Sequence, residues 1–278
     1  MKQISDTTFD AERALYGEKD LIVHNCNFQG EADGESALKE CRNIVADNCH
    51  FALRYPFWHN DNVLIETCEM TSTCRAALWY CDNVKISGSQ LFGIKALREC
   101  KEVSIQNCKI SSSEFGWFCN DIHVNDVSAE GEYFMMRSCG LNFSNFSLAG
   151  KYSFQYINNA VFENCTFDTK DAFWHAKNII VRNCTIKGEY LGWYSDGITF
   201  ENCKISGTQP LCYCKNLILK NCEMIDCDLS FEKSDVHAVL TSPILSIKNP
   251  LSGTISVPSV SEIIMNEPWA KGKILTAN

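Results

Sequence analysis

The stretch Asn164-Cys165-Thr166-Phe167 decides the fold, because the chain repeats it with small variations. A turn-forming residue, a core-type residue, a polar residue and an apolar residue follow one another in eleven copies. The copies begin at Asn25, Asn48, Thr67, Gly88, Asn107, Asp126, Asn145, Asn164, Asn183, Asn202 and Asn221. Their spacings are 23, 19 and 21 residues, and then 19 throughout. A fixed period near 20 residues is typical of a solenoid of stacked coils.

Within one coil, inward and outward residues alternate. Ile179 and Val181 are two residues apart, Asn183 interrupts the pattern, and the alternation resumes with Cys184 and Ile186. Alternation with period two predicts short strands, and the interruption predicts a tight bend between two of them. Asn suits such a bend because it tolerates the left-handed backbone conformation. Its amide can also hydrogen-bond to the Asn of the next coil.

Residues one period apart form columns that keep their chemical character. The column of Val181 is apolar: Val23, Ala46, Ile65, Ile86, Ile105, Val124, Phe143, Phe162, Phe200 and Leu219. A column of turn-forming residues contains Asp20, Asn43, Asn62, Asn83, Glu102, Asp121, Gly140, Asn159, Asn178, Gly197 and Asn216. We therefore predict coils of three short strands and three bends, with like residues stacked ~4.8 Å apart.

This pattern, with its Asn ladder, resembles the right-handed parallel β-helix of the pectate-lyase-like superfamily over roughly residues 9 to 240. We predict an all-β fold, a right-handed parallel β-helix solenoid of about 11–12 coils, capped at both ends. The predicted boundaries are a single domain over 1–278, with an N-terminal cap or half-coil at 1–14, coils at 15–240 and a strand-like C-terminal cap at 241–278. Glu262-Ile263-Ile264-Met265 in the tail looks like part of an uncharacterised bacterial β-helix family, a resemblance that implies no mechanism.

The composition narrows the classes of partner. The 278 residues are 45% hydrophobic and 21% charged, and the net charge is −9. A negative charge disfavours nucleic acid and anionic membranes as partners. The start of the chain, Met1 to Asp6, has no apolar signal core, and no long apolar run follows. We therefore expect a cytoplasmic protein without a membrane span.

The 17 cysteines fit the repeat. Eight occupy the Asn-Cys column, and other coils place Ser89, Val127 or Phe146 there. We interpret these cysteines as small, reduced core residues rather than a secreted disulfide framework. The remaining alternative is a metal site formed by Cys212, Cys214, Cys222 and Cys227. It lacks paired Cys-x-x-Cys spacing, so we expect neither a metal nor another cofactor.

The first strand of each coil carries the aromatic residues. One column, called here the Trp column, contains Tyr16, Lys39, Trp58, Trp79, Arg98, Trp117, Met136, Gln155, Trp174, Trp193, Cys212 and Phe231. The next column, called the corner column, contains Gly17, Glu40, His59, Tyr80, Glu99, Phe118, Arg137, Tyr156, His175, Tyr194, Tyr213 and Glu232. Lys39, Arg98 and Gln155 would be costly inside without partners, so we predict that the Trp column points outward. The corner column can face either way.

An outward aromatic face with polar neighbours favours binding of a flat ligand such as a sugar ring. The β-helix resemblance also implies polysaccharide on the outer face of a strand stack. We therefore expect a non-catalytic binding or scaffold protein with glycan as the leading ligand; a protein partner on the same face is the alternative. The predicted ligand-binding residues are Trp58, Trp79, Arg98, Trp117, Trp174, His175, Trp193 and Tyr194.

Two other functions stay open. The first is a carbohydrate-active lyase or hydrolase of the pectate-lyase-like fold. The acidic and basic motifs of the galacturonan hydrolases of that fold do not occur in this sequence, so no catalytic residue is carried over. Glu40, His59, Tyr80 and Glu99 remain as candidates, because a His beside carboxylates and a Tyr suits general acid–base chemistry. The second is a purely structural solenoid that self-associates as a homo-oligomer.

Overall fold

A computed structural model describes residues 1–30 and 35–276. The chain divides into two compact units, unit 1 (Met1–Asn142) and unit 2 (Phe143–Asn278). In both units the described residues form strands and turns without an α-helix. Accordingly, the described part of the chain offers no helix with the length and apolarity needed to cross a membrane. The prediction of one domain over 1–278 stays a prediction.

Unit 1 consists of short parallel strands that recur once per coil. The longer strands are β1 (Lys2–Ser5), β3 (Lys19–His24), β5 (Arg42–Asp47), β8 (Asp61–Glu66), β11 (Asp82–Ser87), β14 (Lys101–Gln106) and β16 (Asn120–Glu132). The strands after the Asn bend are β2 (Thr8–Phe9), β4 (Asn27–Phe28), β6 (His50–Phe51), β9 (Glu69–Met70), β12 (Gln90–Leu91) and β15 (Lys109–Ser111). The strands of the Trp column are β7 (Phe57–Trp58), β10 (Leu78–Trp79) and β13 (Leu97–Arg98). Strand β17 (Cys139–Lys151) runs across the boundary between the units.

Unit 2 repeats the same plan. Its strands are β18 (Asn158–Glu163), β19 (Thr166–Lys170), β20 (Lys177–Arg182), β21 (Thr185–Lys187), β22 (Asp196–Glu201), β23 (Lys204–Ser206), β24 (Leu217–Ile225), β25 (Asp235–Leu240), β26 (Ile244–Lys248), β27 (Ser252–Val257), β28 (Val260–Ile264) and β29 (Lys273–Thr276). Strand β26 pairs with β28, and β27 pairs with both β25 and β29, in parallel. Residues after 240 therefore continue the stacking.

The register confirms the predicted fold class, an all-β parallel solenoid with coils of about 19 residues. Thr185 pairs with Thr166 and with Lys204, each one period away. The first residues also join the stack, because Lys2–Ser5 pairs with the strand that contains Leu21. About 14 turns result, more than the 11–12 predicted, since segments predicted as caps also form stacked strands.

The predicted inward columns form the core of each unit. Leu21, Ile65 and Ile122 are buried in unit 1, as are Ile179 and Phe200 in unit 2. Fully burying one such side chain stabilises the fold by about 1.5–3 kcal/mol. Successive Phe rings also stack within the core, for example Phe28 on Phe51 at 4.6 Å between ring centroids. The core is therefore built from the residues that the alternation selected.

The described coils have more left-handed positions than the three bends predicted, four around Trp58 and five or more in later coils. In the coil around Trp58, the backbone φ is positive at Asn43, Asn48, Tyr55 and His59. The two Asn bends were predicted from the turn-forming columns, and their side chains form the expected ladder. The Asn62 amide, for example, donates to Asn43 Oδ1 at 2.7 Å. The other two bends enclose the Trp strand and define the outer face described below.

The cysteines act as more than small core residues. All 17 are free thiols, and all except the half-buried Cys139 are buried. The Cys165 N–H donates to Cys184 Sγ at 3.2 Å, and the Cys165 thiol donates to the Phe143 carbonyl at 3.7 Å. These columns therefore bridge polar backbone groups of successive coils. Burial raises the pKa of Cys41 and of Cys214 to about 11, so these thiols stay protonated at neutral pH.

Candidate functional site

The five tryptophans of the Trp column lie half-buried on short segments that begin and end at left-handed residues. Around Trp58 the segment runs from Tyr55 (φ 59°) to His59 (φ 56°). Trp58 and Trp79 stack at 5.1 Å with planes 4° apart. Trp174 and Trp193 stack at 5.4 Å with planes 5° apart. Within each pair, each indole therefore covers the ring face of the other indole that points toward it.

Each of these indoles is tied to its own chain, which the sequence did not reveal. The Nε1–H groups of Trp58 and Trp79 donate to the Ala76 and Lys95 carbonyls, both at 2.7 Å. The acceptors lie at the bend that opens the next coil. Trp117, Trp174 and Trp193 make the same bond at 2.6 to 2.7 Å. The indole N–H therefore satisfies a bend carbonyl and has a structural role.

The prediction of an outward Trp column is wrong for part of unit 2. Cys212 and Phe231 in that column are fully buried. Gln155 is also buried, and its amide donates to the Asp171 carbonyl at 3.1 Å, in the same way as the indoles. A polar residue is tolerated there because its hydrogen bond is satisfied, so the premise that polar residues mark the column as outward fails at Gln155.

The corner column, left open by the sequence, points outward. Its residues from Gly17 to Tyr213 adopt the left-handed conformation, and Tyr80, Phe118, Tyr156 and Tyr194 are 38–47% exposed. His59 stacks on Tyr80 at 4.8 Å with planes 10° apart. In unit 2 the stack is longer and contains Tyr156, His175, Tyr194 and Tyr213 at spacings of 4.8 to 5.0 Å. These rings, rather than the indoles, form the most exposed aromatic surface.

The stack in unit 1 is interrupted at Glu99. This carboxylate stands between Tyr80 and Phe118 in the corner column, where unit 2 continues with rings. A depression of about 630 Å³ opens at this point, lined by Tyr80, Asp82, Arg98, Glu99, Lys101 and Phe118. His59 covers one face of the Tyr80 ring, and Tyr80 also lines the depression. The site therefore combines aromatic rings with two acidic and two basic side chains.

Arg98 is the most constrained charged group of this depression. Its guanidinium carbon lies 5.1 Å from the ring of Trp79 and 5.4 Å from the rings of Trp117 and Phe118. Its Nε donates to Glu99 Oε1 at 3.5 Å. Within the described residues, its terminal amino groups have no hydrogen-bond acceptor. The aromatic contacts hold the planar guanidinium in place and leave these donors for a ligand.

The candidate catalytic residues are only partly brought together. His59 stacks on Tyr80, whereas Glu99 contacts Arg98. Glu40 lies beside Tyr16, where its hydrogen bond and then desolvation raise the pKa of the tyrosine. In unit 2, burial and then the charge of Glu232 raise the pKa of Tyr213. These contacts do not place His59 against a carboxylate.

The sequence missed Asp82, Lys101 and Phe118 as residues of the depression. Phe118 belongs to the corner column, whose facing was left open. Asp82 and Lys101 are register partners at the start of successive strands, a position that was assigned to no site. Among the predicted ligand-binding residues, only Arg98 lines the depression. In the part of the chain that the structure describes, no group of three or more His, Cys, Asp or Glu side chains is placed to hold a metal ion.

Comparison with protein families places the chain in one of them. Residues 2–275 match the family described as "Protein of unknown function (DUF3737)", and the chain belongs to that family. No curated protein matches the sequence.

Several solved structures are similar in fold at low identity. PfbA, a surface adhesin of Streptococcus pneumoniae, is 9% identical with a TM-score of 0.35, over 88% of this chain and 70% of that chain. The A-module of the Azotobacter vinelandii mannuronan C-5 epimerase AlgE6 is 10% identical with a TM-score of 0.33, over 95% and 92% of the two chains. QnrB1, a plasmid-mediated fluoroquinolone resistance protein, is 12% identical with a TM-score of 0.29, over 84% and 92%. Scores this low carry no argument about function.

Proposed function

We propose that the protein is a non-catalytic glycan-binding protein and that the depression at Glu99 receives a sugar ring. The observation that carries this proposal is the interruption of the aromatic stack. A ring placed beside Tyr80 would occupy the position that Tyr213 fills in unit 2, where it stacks on Tyr194 at 4.8 Å. Sugar rings present apolar C–H faces to aromatic side chains, so the Tyr80 ring that lines the depression suits such a ligand.

The charged residues of the depression suit sugar hydroxyl groups. Asp82 and Glu99 accept hydrogen bonds, whereas Arg98 and Lys101 donate them. Two acids and two bases leave the lining without net charge. Arg98 is already oriented by its aromatic neighbours, so less conformational entropy is lost when it binds a ligand. The volume also lies in the range of small-molecule sites.

The test is a screen on an array of neutral and acidic oligosaccharides, followed by titration of the glycan that binds. Replacing Tyr80 by Ala removes the proposed platform, and we expect affinity to fall about tenfold, equivalent to about 1.4 kcal/mol. Tyr194→Ala in unit 2 is the matched control, because it removes a ring of the same column, 47% exposed against 38% for Tyr80, that borders no such interruption. We expect it to keep the affinity within about twofold. Failure of every glycan to bind, or equal loss in both variants, would contradict the proposal.

One observation favours a second candidate, a glycan-cleaving enzyme. Asp82 and Glu99 place two carboxylates in one depression, and glycoside hydrolases generally use a pair of carboxylates. Incubating the bound glycan with the protein separates the two functions. Unchanged glycan supports the binding protein. Cleavage that disappears in Asp82→Asn and in Glu99→Gln supports the enzyme.

A further inference from the structure

The last coil of unit 2 exposes apolar residues that continue the core. Ile247 and Ile255 are fully buried. Their register partners in the last coil are Ile263 and Ile274, on β28 and β29. Ile263 is nevertheless 47% exposed, and Ile274 is half-buried. No described strand pairs on the far side of β28 or β29, so this inward-facing pair is less covered than its buried partners Ile247 and Ile255.

The same coil also presents strand edges. Strand β28 pairs with β26 and strand β29 pairs with β27, and neither has a second strand partner among the described residues. Their outer backbone N–H and C=O groups are therefore available for pairing. Unpaired edges next to exposed apolar side chains are typical of a surface that another strand covers.

Four charged residues of the last coil divide by sign along the chain, with the acidic ones before the basic ones. Glu262 on β28 and the nearby Glu267 are acidic, whereas Lys271 and Lys273, at β29, are basic. All four are exposed, and none has an ion-pair partner among the described residues. A two-fold axis between the strands would bring the acidic side of one copy against the basic side of another. The surface is thus complementary to itself.

From these observations we propose that the last coil of unit 2 is a dimer interface that pairs with the same coil of a second copy of this chain. The dimer buries Ile263 and Ile274, joins the edges of β28 and β29, and matches Glu262 and Glu267 with Lys271 and Lys273. An isologous contact of this kind closes after two copies and gives no filament. The interface shares no residue with the proposed glycan site, so each can fail without the other.

The first test is the mass of the full chain in solution, measured by sedimentation velocity over a dilution series. We expect twice the chain mass of 31.4 kDa at high concentration, and dissociation on dilution. Ile263→Glu should shift the protein to the monomer at the concentration where the wild type is dimeric. Ile94→Glu is the control, because Ile94 is also exposed, at 43%, but belongs to unit 1. A wild type that is monomeric throughout, or a dimer that Ile263→Glu leaves intact, overturns the proposal.

A charge-reversal pair tests the two-fold arrangement itself. One variant combines Glu262→Lys with Glu267→Lys, and the other combines Lys271→Glu with Lys273→Glu. Each makes the interface uniformly charged, so each should be monomeric alone, whereas an equimolar mixture should regain the dimer mass. All four positions are exposed, and circular dichroism melting curves verify that both variants are folded. A mixture that stays monomeric contradicts the arrangement.

Discussion

Units 1 and 2 contain the same group of four rings in two different settings. In unit 1 the group consists of Trp58, His59, Trp79 and Tyr80, and in unit 2 of Trp174, His175, Trp193 and Tyr194. The two Trp pairs stack at 5.1 and 5.4 Å, and the two His–Tyr pairs at 4.8 and 5.0 Å. Each indole donates its N–H to a carbonyl of the next coil. The ring contacts are therefore the same in both, although Trp58 and Trp79 lie on short strands, whereas Trp174 and Trp193 lie in turns and each follows an additional left-handed residue.

The difference lies in the coil that follows. After Tyr80 the chain places Arg98 and Glu99, and a depression opens beside the tyrosine. After Tyr194 it places the buried Cys212 and the ring of Tyr213, which continues the stack. The comparison indicates that an uninterrupted stack of rings leaves no ring face accessible to a ligand, because each ring covers its neighbour. The residue that interrupts the stack creates the candidate site.

The largest expected effect is a loss of unfolding free energy, which should be greater for truncation of a core residue than for truncation of a tryptophan in the Trp column. Phe200→Ala empties a fully buried position and should cost ~3–5 kcal/mol of unfolding free energy. Trp79→Ala and Trp193→Ala should cost less, ~1–3 kcal/mol each, because these side chains are half-buried and lose one hydrogen bond and one stacking partner. Urea denaturation measures all three. Unequal losses of stability for the two tryptophans would show that the four-ring groups are not equivalent. A loss for either tryptophan as large as that for Phe200 would show that the Trp column belongs to the core.

A smaller effect should follow from opening the stack of unit 2. Tyr213→Glu gives this unit the residue that unit 1 has at Glu99. It removes the stacking on Tyr194 and the edge contact with Trp193, and it sets a second carboxylate near Glu232. We expect a loss of ~1–2 kcal/mol, measured by urea denaturation. Tyr213→Phe keeps the ring and serves as the control. Equal stability of the Glu and Phe variants would show that the rings do not stabilise one another.

The smallest effect concerns pH and an ionic ladder of unit 2. Hydrogen bonds from Lys220 and then from Arg182 lower the pKa of Glu201. A carboxylate with a lowered pKa in the folded state adds stability above its unfolded pKa, and this stability is lost as the pH falls through the folded value. Glu201→Gln should therefore reduce stability at neutral pH by about 0.5 kcal/mol and weaken its decline in acid. Glu66→Gln, the same column in unit 1, is the control. Thermal melting from neutral to acidic pH should show no comparable change for it.

The repeat made the fold predictable from the sequence. The outer surface formed by the Trp column and the corner column was predictable only in part. Apolar columns such as that of Val181 recur at a constant spacing, so strands, register and core followed from the sequence. The bends at Tyr80 and Tyr194 did not, because tyrosine does not favour the left-handed conformation. The stacking of the coils imposes it. The depression was also missed, since it depends on which way the corner column points and on neighbours two coils apart.

The most direct test of the central claim, that the interruption at Glu99 is the binding site, is calorimetric titration of Glu99→Tyr with a glycan that binds the wild type. This substitution places in unit 1 the ring that unit 2 has at Tyr213, in a bend where Tyr80 and Tyr194 already adopt the same conformation. The account predicts a folded protein, at least as stable as the wild type, whose glycan affinity falls tenfold or more, equivalent to about 1.4 kcal/mol. Binding of the glycan to Glu99→Tyr with unchanged affinity would contradict it.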